Sequence, residues 1–278
     1  LTLAGDARPQ AVFGARAAVV RERIESGPYI ALTALDESGI VPAAGQFYML
    51  RTAEGWGGGE DGRPYLPRAL SFARSRVVDG GVGLDFFFEA VGPGTERLGQ
   101  CREGEELVLT GPFGNGFEVD SSRESVLVAG GIGLAPIVAL ADELSAAGSS
   151  FKTVIGMRSA AHAEAIAHYG IEHELTTDDG SAGRKGFVTE LLAEALDAAP
   201  DSTVYACGPS PMLEAARVLA AGRNVAAQLA MESGMACGFG ACYGCVVPTR
   251  DGYLRLCVDG PVLDAARLDS ALTVGGGH

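Results

Sequence analysis

The stretch Ser125-Val-Leu-Val-Ala129-Gly130-Gly131-Ile132-Gly133-Leu134-Ala135-Pro136 decides the fold of this chain. Its opening residues form an apolar run of the kind buried on both faces of a parallel sheet. Three glycines follow, then an apolar segment whose Pro136 suits a first helical turn. A strand that turns through glycine into a helix lets a pyrophosphate approach backbone N–H groups at the helix N-terminus. The match to G-x-G-x-x-G is imperfect, because Pro136 takes the place of the last glycine. A tight strand–helix turn with no ligand is the plainer alternative. A second turn of the same kind weighs against it: Ala206-Cys207-Gly208-Pro209-Ser210-Pro211-Met212 closes another strand and opens another helix. In a doubly wound sheet both turns fall at the carboxyl ends of strands, where ligands bind.

Outward from these turns, strand-like segments at 125–129, 151–156, 172–176, 202–206 and 225–230 alternate with helical ones at 135–147, 160–168, 189–198 and 211–221. Thr189 is placed as an N-cap. This alternation predicts a parallel sheet with helices on both faces over 122–228. Residues 11–118 change period. Six short segments rich in β-branched and aromatic residues, at 15–23, 29–34, 46–51, 69–77, 83–91 and 105–109, are separated by Gly/Pro/Asp turns. That spacing predicts an antiparallel barrel. One piece does not fit it: 54–67 carries Gly55, Gly57, Gly58, Gly59 and Gly62 with the only tryptophan, Trp56. It reads as a long, flexible surface insertion. Residues 229–278 are short and glycine-rich, too few for a large core, so a metal site is expected to organise them.

Composition narrows the function. With 21 Lys+Arg against 35 Asp+Glu the net charge is −14, which opposes binding to a phosphate backbone, so no nucleic acid partner is expected. A hydrophobic share of 47% with 20% charged residues fits a globular protein with a sizeable core. The longest apolar run, 126–141, is broken by Gly130, Gly131, Gly133 and Pro136 and falls short of the roughly 20 residues of a spanning helix, so no membrane span is expected. Residues 1–10 lack the basic-then-apolar pattern of a secretory signal. The absent initiator Met is expected to reflect a processed or trimmed start. Four of the six cysteines lie between 237 and 257, unlike a disulfide framework, and a reducing, cytoplasmic setting is expected.

Those four read Cys237-Gly-Phe-Gly-Ala-Cys242-Tyr-Gly-Cys245, with Cys257 after eleven further residues. C-x4-C-x2-C followed by a separate cysteine is the plant-type [2Fe–2S] spacing. The small residues Gly238, Gly240, Ala241 and Gly244 would let backbone N–H groups reach the sulfurs. A structural zinc site is the alternative, although zinc usually takes cysteines as two C-x2-4-C knuckles. His162, His168 and His173 do not share one helical face and read as surface residues. Cys101, beside Arg102 and Glu103, has no assigned role. In the barrel, Arg68-Ala69-Leu70-Ser71 puts an arginine and a hydroxyl on one strand, and Gly92-Pro93-Gly94-Thr95 makes an anion-friendly turn. Alone, these are an ordinary surface charge and an ordinary turn.

In order along the chain, Arg68-x-x-Ser71, Gly94-Thr95, Gly111-Pro112-Phe113-Gly114, Gly130 to Pro136, Thr177-Asp178-Asp179-Gly180-Ser181 with Lys185-Gly186, Cys207-Gly208-Pro209 and the four cysteines resemble the ferredoxin–NADP reductase superfamily. Within it, Met235-Ala-Cys237 and Cys257-x-Asp259-Gly260-Pro261 resemble the electron-transfer subunits of NAD-dependent (class B) dihydroorotate dehydrogenases. The resemblance runs over 11–267. It implies that the barrel holds FAD, with Arg68 on its pyrophosphate, Ala69 and Leu70 alongside, and Ser71 near the flavin N5. The backbone of Phe87, Phe88 and Glu89 and the Gly94-Thr95 turn would face the same cofactor. NAD would lie over Gly130, Gly131 and Gly133, with Cys207, Gly208 and Pro209 near the nicotinamide. Ser71 and Cys207 are the implied catalytic residues, and Cys237, Cys242, Cys245 and Cys257 the cluster ligands.

The implied activity follows from the cofactors. NAD takes two electrons as hydride, an iron–sulfur cluster passes one at a time, and a flavin does both. No stretch offers a place for dihydroorotate. A separate FMN-containing catalytic subunit, docked near the cluster in a heterotetramer of two plus two, is therefore implied. Similar subunits serve ferredoxin–NAD(P) transhydrogenases, sulfide dehydrogenases and hydrogenases, and a zinc-bound non-catalytic scaffold is the reading from another class. Two departures from the family stand out. Ala69 replaces its usual proline, which an edge strand would tolerate, and the 54–67 loop is long. NAD is expected over NADP, since Arg158 is the main cation available after 151–156 for a 2′-phosphate.

Overall fold

The computed structural model describes residues 14–58 and 62–272; the expected limits at 11 and 278 and Gly59 of the glycine loop lie outside the described residues. Six antiparallel strands close a barrel: β1 (Arg16–Ser26), β2 (Tyr29–Asp36), β3 (Phe47–Thr52), β4 (Arg68–Val78), β5 (Gly81–Glu89) and β6 (Glu106–Phe113), in the spatial order β1-β2-β5-β4-β3-β6. Leu32, Leu50, Phe72, Leu84, Phe86, Leu107 and Leu109 fill its interior. Arg16 closes one end, donating from Nε to Asp36 Oδ1 at 2.8 Å and from a terminal nitrogen to the Gly111 carbonyl at 2.9 Å. A short helix that the sequence reading missed, α1 (Pro93–Gly99), lies between β5 and β6.

A closed barrel has no edge strand, so the edge expected for Ala69 is not there. Its substitution is tolerated for a related reason. The pairing of β4 with β5 begins only at Phe72 and Phe86, whereas 68–71 pair with β3 alone. One side of Arg68–Ser71 is thus unpaired.

The second unit is a seven-stranded sheet of β7 (Ser125–Gly130), β8 (Phe151–Met157), β9 (Glu174–Thr177), β10 (Arg184–Lys185), β11 (Thr203–Cys207), β12 (Ala226–Ala230) and β15 (Val262–Asp264), in the order β10-β9-β8-β7-β11-β12-β15. Helices α2 (Leu134–Ala146), α3 (Ala160–Tyr169), α4 (Val188–Ala198) and α5 (Ser210–Gly222) connect its parallel strands. Thr189 is not the cap of α4. The helix begins one residue earlier, and Glu190 reaches back to accept from the Phe187 N–H at 3.3 Å, so a first-turn carboxylate does the capping.

The C-terminal segment is tied down differently from expectation. Its hairpin, β13 (Val246–Thr249) and β14 (Gly252–Arg255), stands apart, but β15 joins the large sheet antiparallel to β12. Cys245, Val247, Leu256, Cys257, Leu263 and Leu268 share one apolar cluster with Val126, Val204 and Leu229 of that sheet. The segment therefore borrows a core as well as presenting cysteines. Glu214 of α5 fastens its end by accepting from the Ala271 N–H at 2.6 Å.

The glycine loop is seated on the barrel rather than standing off it. Arg68 lies over the Trp56 ring, 5.8 Å from its centroid, and Trp56 packs on the main core. The guanidinium of Arg97 covers Gly55, where any side chain would collide with it.

Candidate functional site

The two glycine turns meet at the carboxyl ends of β7 and β11. A methyl group on Gly133 would lie 2.3 Å from the Cys207 carbonyl, and one on Gly130 would lie 2.5 Å from Met212 Sδ. Gly208 is closed off in the same way by Met212 and Gly130. Three of the predicted nucleotide glycines are thus needed to pack one turn into the other. Gly131 differs. It is left-handed at φ +54, and the nearest atom to a side chain there would be Tyr29 Oη, at 3.6 Å. The open face of the turn is therefore at Gly131, looking toward the barrel. Cys207 is 3% exposed, and burial together with nearby Glu232 pushes its thiol well above the usual range. Pro209 is exposed beside it.

On the barrel side, the unpaired flanks of β4 and β5 face each other. Residues 87–89 pair with β2 and not with β4. The side chains of Phe87 and Phe88 are buried, Phe87 between Tyr29 at 4.7 Å and Tyr169 at 5.7 Å, so it is their backbone that borders the slot. Backbone groups left without partners in such a slot call for a polar ligand. Arg68 sits at the mouth. Its guanidinium lies against Gly94, where a methyl group would come within 2.3 Å of Nε, and one of its terminal nitrogens donates to the Leu66 carbonyl at 2.5 Å. Among the described residues no carboxylate pairs with it. The Thr95 hydroxyl accepts from the N–H groups of Val91 and Gly92 at 3.0 and 3.2 Å, so it closes the turn into α1 rather than pointing outward. Two adjoining cavities, about 660 and 810 Å³, follow α1 away from Arg68, past Trp56 and Glu54 to Arg97 and Arg23.

The four cysteines converge as two pairs. Cys245 Sγ and Cys257 Sγ are 3.3 Å apart and buried. Cys237 and Cys242 hydrogen-bond each other, and Cys242 is exposed. Burial would raise the Cys237 thiol, but the N–H groups of Cys242, Phe239 and Ala241 outweigh it and bring it to about 6. Cys257 goes the other way, to about 12, through burial and the neighbouring Cys245. The Gly244 N–H points at Cys242 Sγ and the Cys257 N–H at Cys245 Sγ, each at 3.4 Å. Two thiol pairs served by backbone donors suit two irons, each holding two cysteines.

The loop lies close to the barrel slot. A methyl group on Gly238 would lie 2.5 Å from Met49 Cγ, and Met49 pairs with Ala69 on β4. Of the histidines expected at the surface, His168 is exposed, with Nε2 3.7 Å from Asp85; His162 is half-buried and packs edge-on against Tyr29 at 5.7 Å; and His173 is half-buried, its Nδ1 2.9 Å from the Ile171 carbonyl. Sequence reasoning also passed over Glu232. It lies in the coil between β12 and Cys237, in no motif, and its carboxyl is raised to about 6 by desolvation.

This fold and site define a class: a reductase of the ferredoxin reductase-like type, with barrel and nucleotide sheet, extended by an iron–sulfur segment. Comparison with known proteins agrees. Residues 127–218 match the oxidoreductase NAD-binding domain, and 232–269 match the iron–sulfur cluster binding domain of dihydroorotate dehydrogenase B. The dihydroorotate dehydrogenase B (NAD(+)) electron transfer subunit of Caldanaerobacter subterraneus subsp. tengcongensis is 35% identical over 229 residues, 80% of this chain and 85% of the relative. That of Clostridium acetobutylicum is 36% identical over 230 residues, 81% and 85% of the two chains. The solved NADH-dependent reduced ferredoxin–NADP oxidoreductase, studied for flavin-based electron bifurcation, superposes with a TM-score of 0.79 at 25% identity, covering 93% of this chain and 92% of that one. The chain belongs to the family of electron transfer subunits of dihydroorotate dehydrogenase B (NAD(+)).

Proposed function

We propose that this subunit carries electrons from a partner that oxidises dihydroorotate, through a [2Fe–2S] cluster and FAD, to NAD+. The observation that carries the order is the contact chain from Gly238 to Met49 to Ala69, which sets the cysteine loop on β3, next to the strand bordering the barrel slot. FAD lies in that slot, its ring along 68–71 and 87–89, its pyrophosphate on Arg68, its adenosine along α1 and Trp56. Ser71 sits on the stretch of β4 unpaired toward β5, within reach of the flavin edge. NAD enters over Gly131, with its nicotinamide toward Cys207 and Pro209. Tyr29, between Gly131 and Phe87, marks where the two cofactors meet. Cys207 shapes the nicotinamide end as a neutral thiol. When bound, the flavin supplies the conversion of single electrons into hydride.

The partner is an FMN-containing catalytic subunit. It docks where Cys242 reaches the surface beside Phe239 and Tyr243, both more than half exposed, and the assembly is two plus two. No helix among the described residues is long and apolar enough to cross a membrane, and the setting proposed is the cytoplasm. Reconstitution tests this reading. The chain alone should reduce dyes with NADH and leave dihydroorotate untouched, and adding the FMN subunit of the same genome should couple dihydroorotate to NADH formation. If the two neither copurify nor couple, the dihydroorotate assignment fails, and a ferredoxin or sulfide partner becomes the better reading.

A further inference from the structure

Glu232 is a carboxylate with nothing to neutralise it. It stands two residues beyond Ala230, which pairs with Cys207 on one side and Val262 on the other. That puts it at the carboxyl ends of β11 and β12, beside the Cys207 turn, on the connector running from β12 to the first cluster cysteine. The Met231 N–H is held by the Pro261 carbonyl at 2.9 Å, which fixes the backbone beside it. Its side chain is exposed, and the protein atoms around it desolvate the carboxylate. Among the described residues it has no hydrogen-bond donor and no cation. The titratable group placed against it is the Cys207 thiol, which is neutral at physiological pH. An exposed carboxylate with no partner of its own, next to the Cys207 turn, is free to pair with a ligand of opposite charge there.

We propose that Glu232 is the counter-charge for the oxidised nicotinamide ring, so that this cleft favours NAD+ over NADH. The proposal rests on the placement of the nicotinamide beside Cys207. The oxidised ring carries a delocalised positive charge and the reduced ring carries none. Hydride arriving at the ring removes the charge that Glu232 holds, which loosens the product relative to the incoming oxidised nucleotide. The adenosine and pyrophosphate are common to both forms and cannot make this distinction. The raised carboxyl, at about 6, adds a signature: NAD+ binding near that pH must expel a proton, and NADH binding must not.

The test is calorimetric titration of the cofactor-loaded protein with NAD+, NADH and ADP-ribose. At pH 8, Glu232→Gln should weaken NAD+ about fivefold, the size of a partly exposed ion pair, and leave NADH and ADP-ribose within about twofold. At pH 6, in buffers of different ionisation enthalpy, wild type should release up to roughly half a proton on binding NAD+, and Glu232→Gln none. Glu232→Asp should restore part of the discrimination. Equal weakening of both nucleotides would show a merely structural residue and overturn the proposal, as would no change at all. Gly131→Asn separates the underlying placement from the role of Glu232. Asn tolerates the left-handed backbone there and fills the open face, so it should weaken all three ligands. If it weakens none, the nucleotide lies elsewhere and the proposal falls with its premise.

Discussion

Two loops of this chain look alike in sequence and are held in different ways. Residues 129–136 and 237–245 each carry three glycines. In the first, Gly130 and Gly133 are locked against Met212 and the Cys207 carbonyl, and a single glycine, Gly131, is left-handed. Strand and helix fix this turn before any ligand arrives. In the second, Gly238, Gly240 and even Tyr243 are left-handed, and no strand or helix runs through the loop. Its shape is set by where four sulfurs and their N–H donors must point. One loop is a product of the fold, and the other is a product of its ligand set. Neither glycine content nor close packing tells them apart, since Gly238 and Gly240 would also meet side chains, Met49 at 2.5 Å and Val258 at 2.7 Å; the flanking strand and helix and the number of left-handed residues do.

The sharpest way to break this comparison is to remove a thiol. Cys242→Ser should abolish the iron and acid-labile sulfide, about two of each in wild type. Hydrogen exchange across 237–245 should then rise, while 129–136 and the bound FAD stay as they were. Loss of protection in both loops would mean that the first depends on the cluster too.

The next largest effect falls on the sheet-held loop. Gly133→Ala drives a methyl group into backbone, which cannot give way as a flexible side chain can. It should cost about 2–3 kcal/mol in denaturant unfolding, as overpacking does. Gly131→Asn, two residues away, should cost less than about 1 kcal/mol, because Asn tolerates the left-handed region. Similar losses at both positions would erase the distinction between the packing and the open glycine.

How much of this was legible beforehand follows the same division. The alternation of apolar runs with helical segments showed the sheet, because parallel strands buried on both faces leave a strong pattern. Short β-rich segments between turn residues showed the barrel. The cysteine spacing showed the cluster, because ligand geometry is written locally. Strand β15 was not legible: Val262–Asp264 is three residues long, and its identity as a strand comes from β12 beside it. The same holds for the slot in the barrel, which arises where two strands stop pairing, and for Glu232, which becomes distinctive only through the pairing that sets it beside Cys207. The cap of α4 was misread because Thr189 is a good cap by type, but Glu190 reaches back to Phe187 from inside the helix.

Nucleotide choice sharpens the account of the first loop by a smaller amount. Arg158 follows β8, but the turn after β9 carries Asp178 and Asp179, and hydrogen bonds from Ser181 hold the Asp179 carboxyl below its usual range. A 2′-phosphate there would meet negative charge. NADH should exceed NADPH by about tenfold in kcat/KM, or about 1.4 kcal/mol, and parity would place the adenosine ribose elsewhere.

The smallest effect belongs to the seam between barrel and sheet, where neither loop lies. Asp85 of β5 is 3% exposed, with one carboxylate oxygen lacking any partner. Burial pushes its carboxyl up to about 6, against the opposing pull of His168 on α3 and of Arg76 and Arg74 on β4. Tyr169 of α3 also faces it, with its own hydroxyl raised by burial and by Asp85. Because the folded carboxyl titrates higher than the unfolded one, the unfolded chain loses its proton first as pH rises. Stability contributed by the neutral acid is therefore full below about 4, falls as pH climbs toward about 6, and stays lost above it. Asn does not titrate. Asp85→Asn should accordingly raise stability at pH 8 by about 1 kcal/mol, since part of the gain is offset by losing the attraction of the carboxylate to Arg76 and Arg74. That advantage should vanish by pH 4. Thermal unfolding at both pH values measures it, with iron content and NAD affinity as controls that should not move. A stability difference that is the same at pH 4 and pH 8 would show that Asp85 stays ionised throughout and that His168 and the arginines, not burial, govern it.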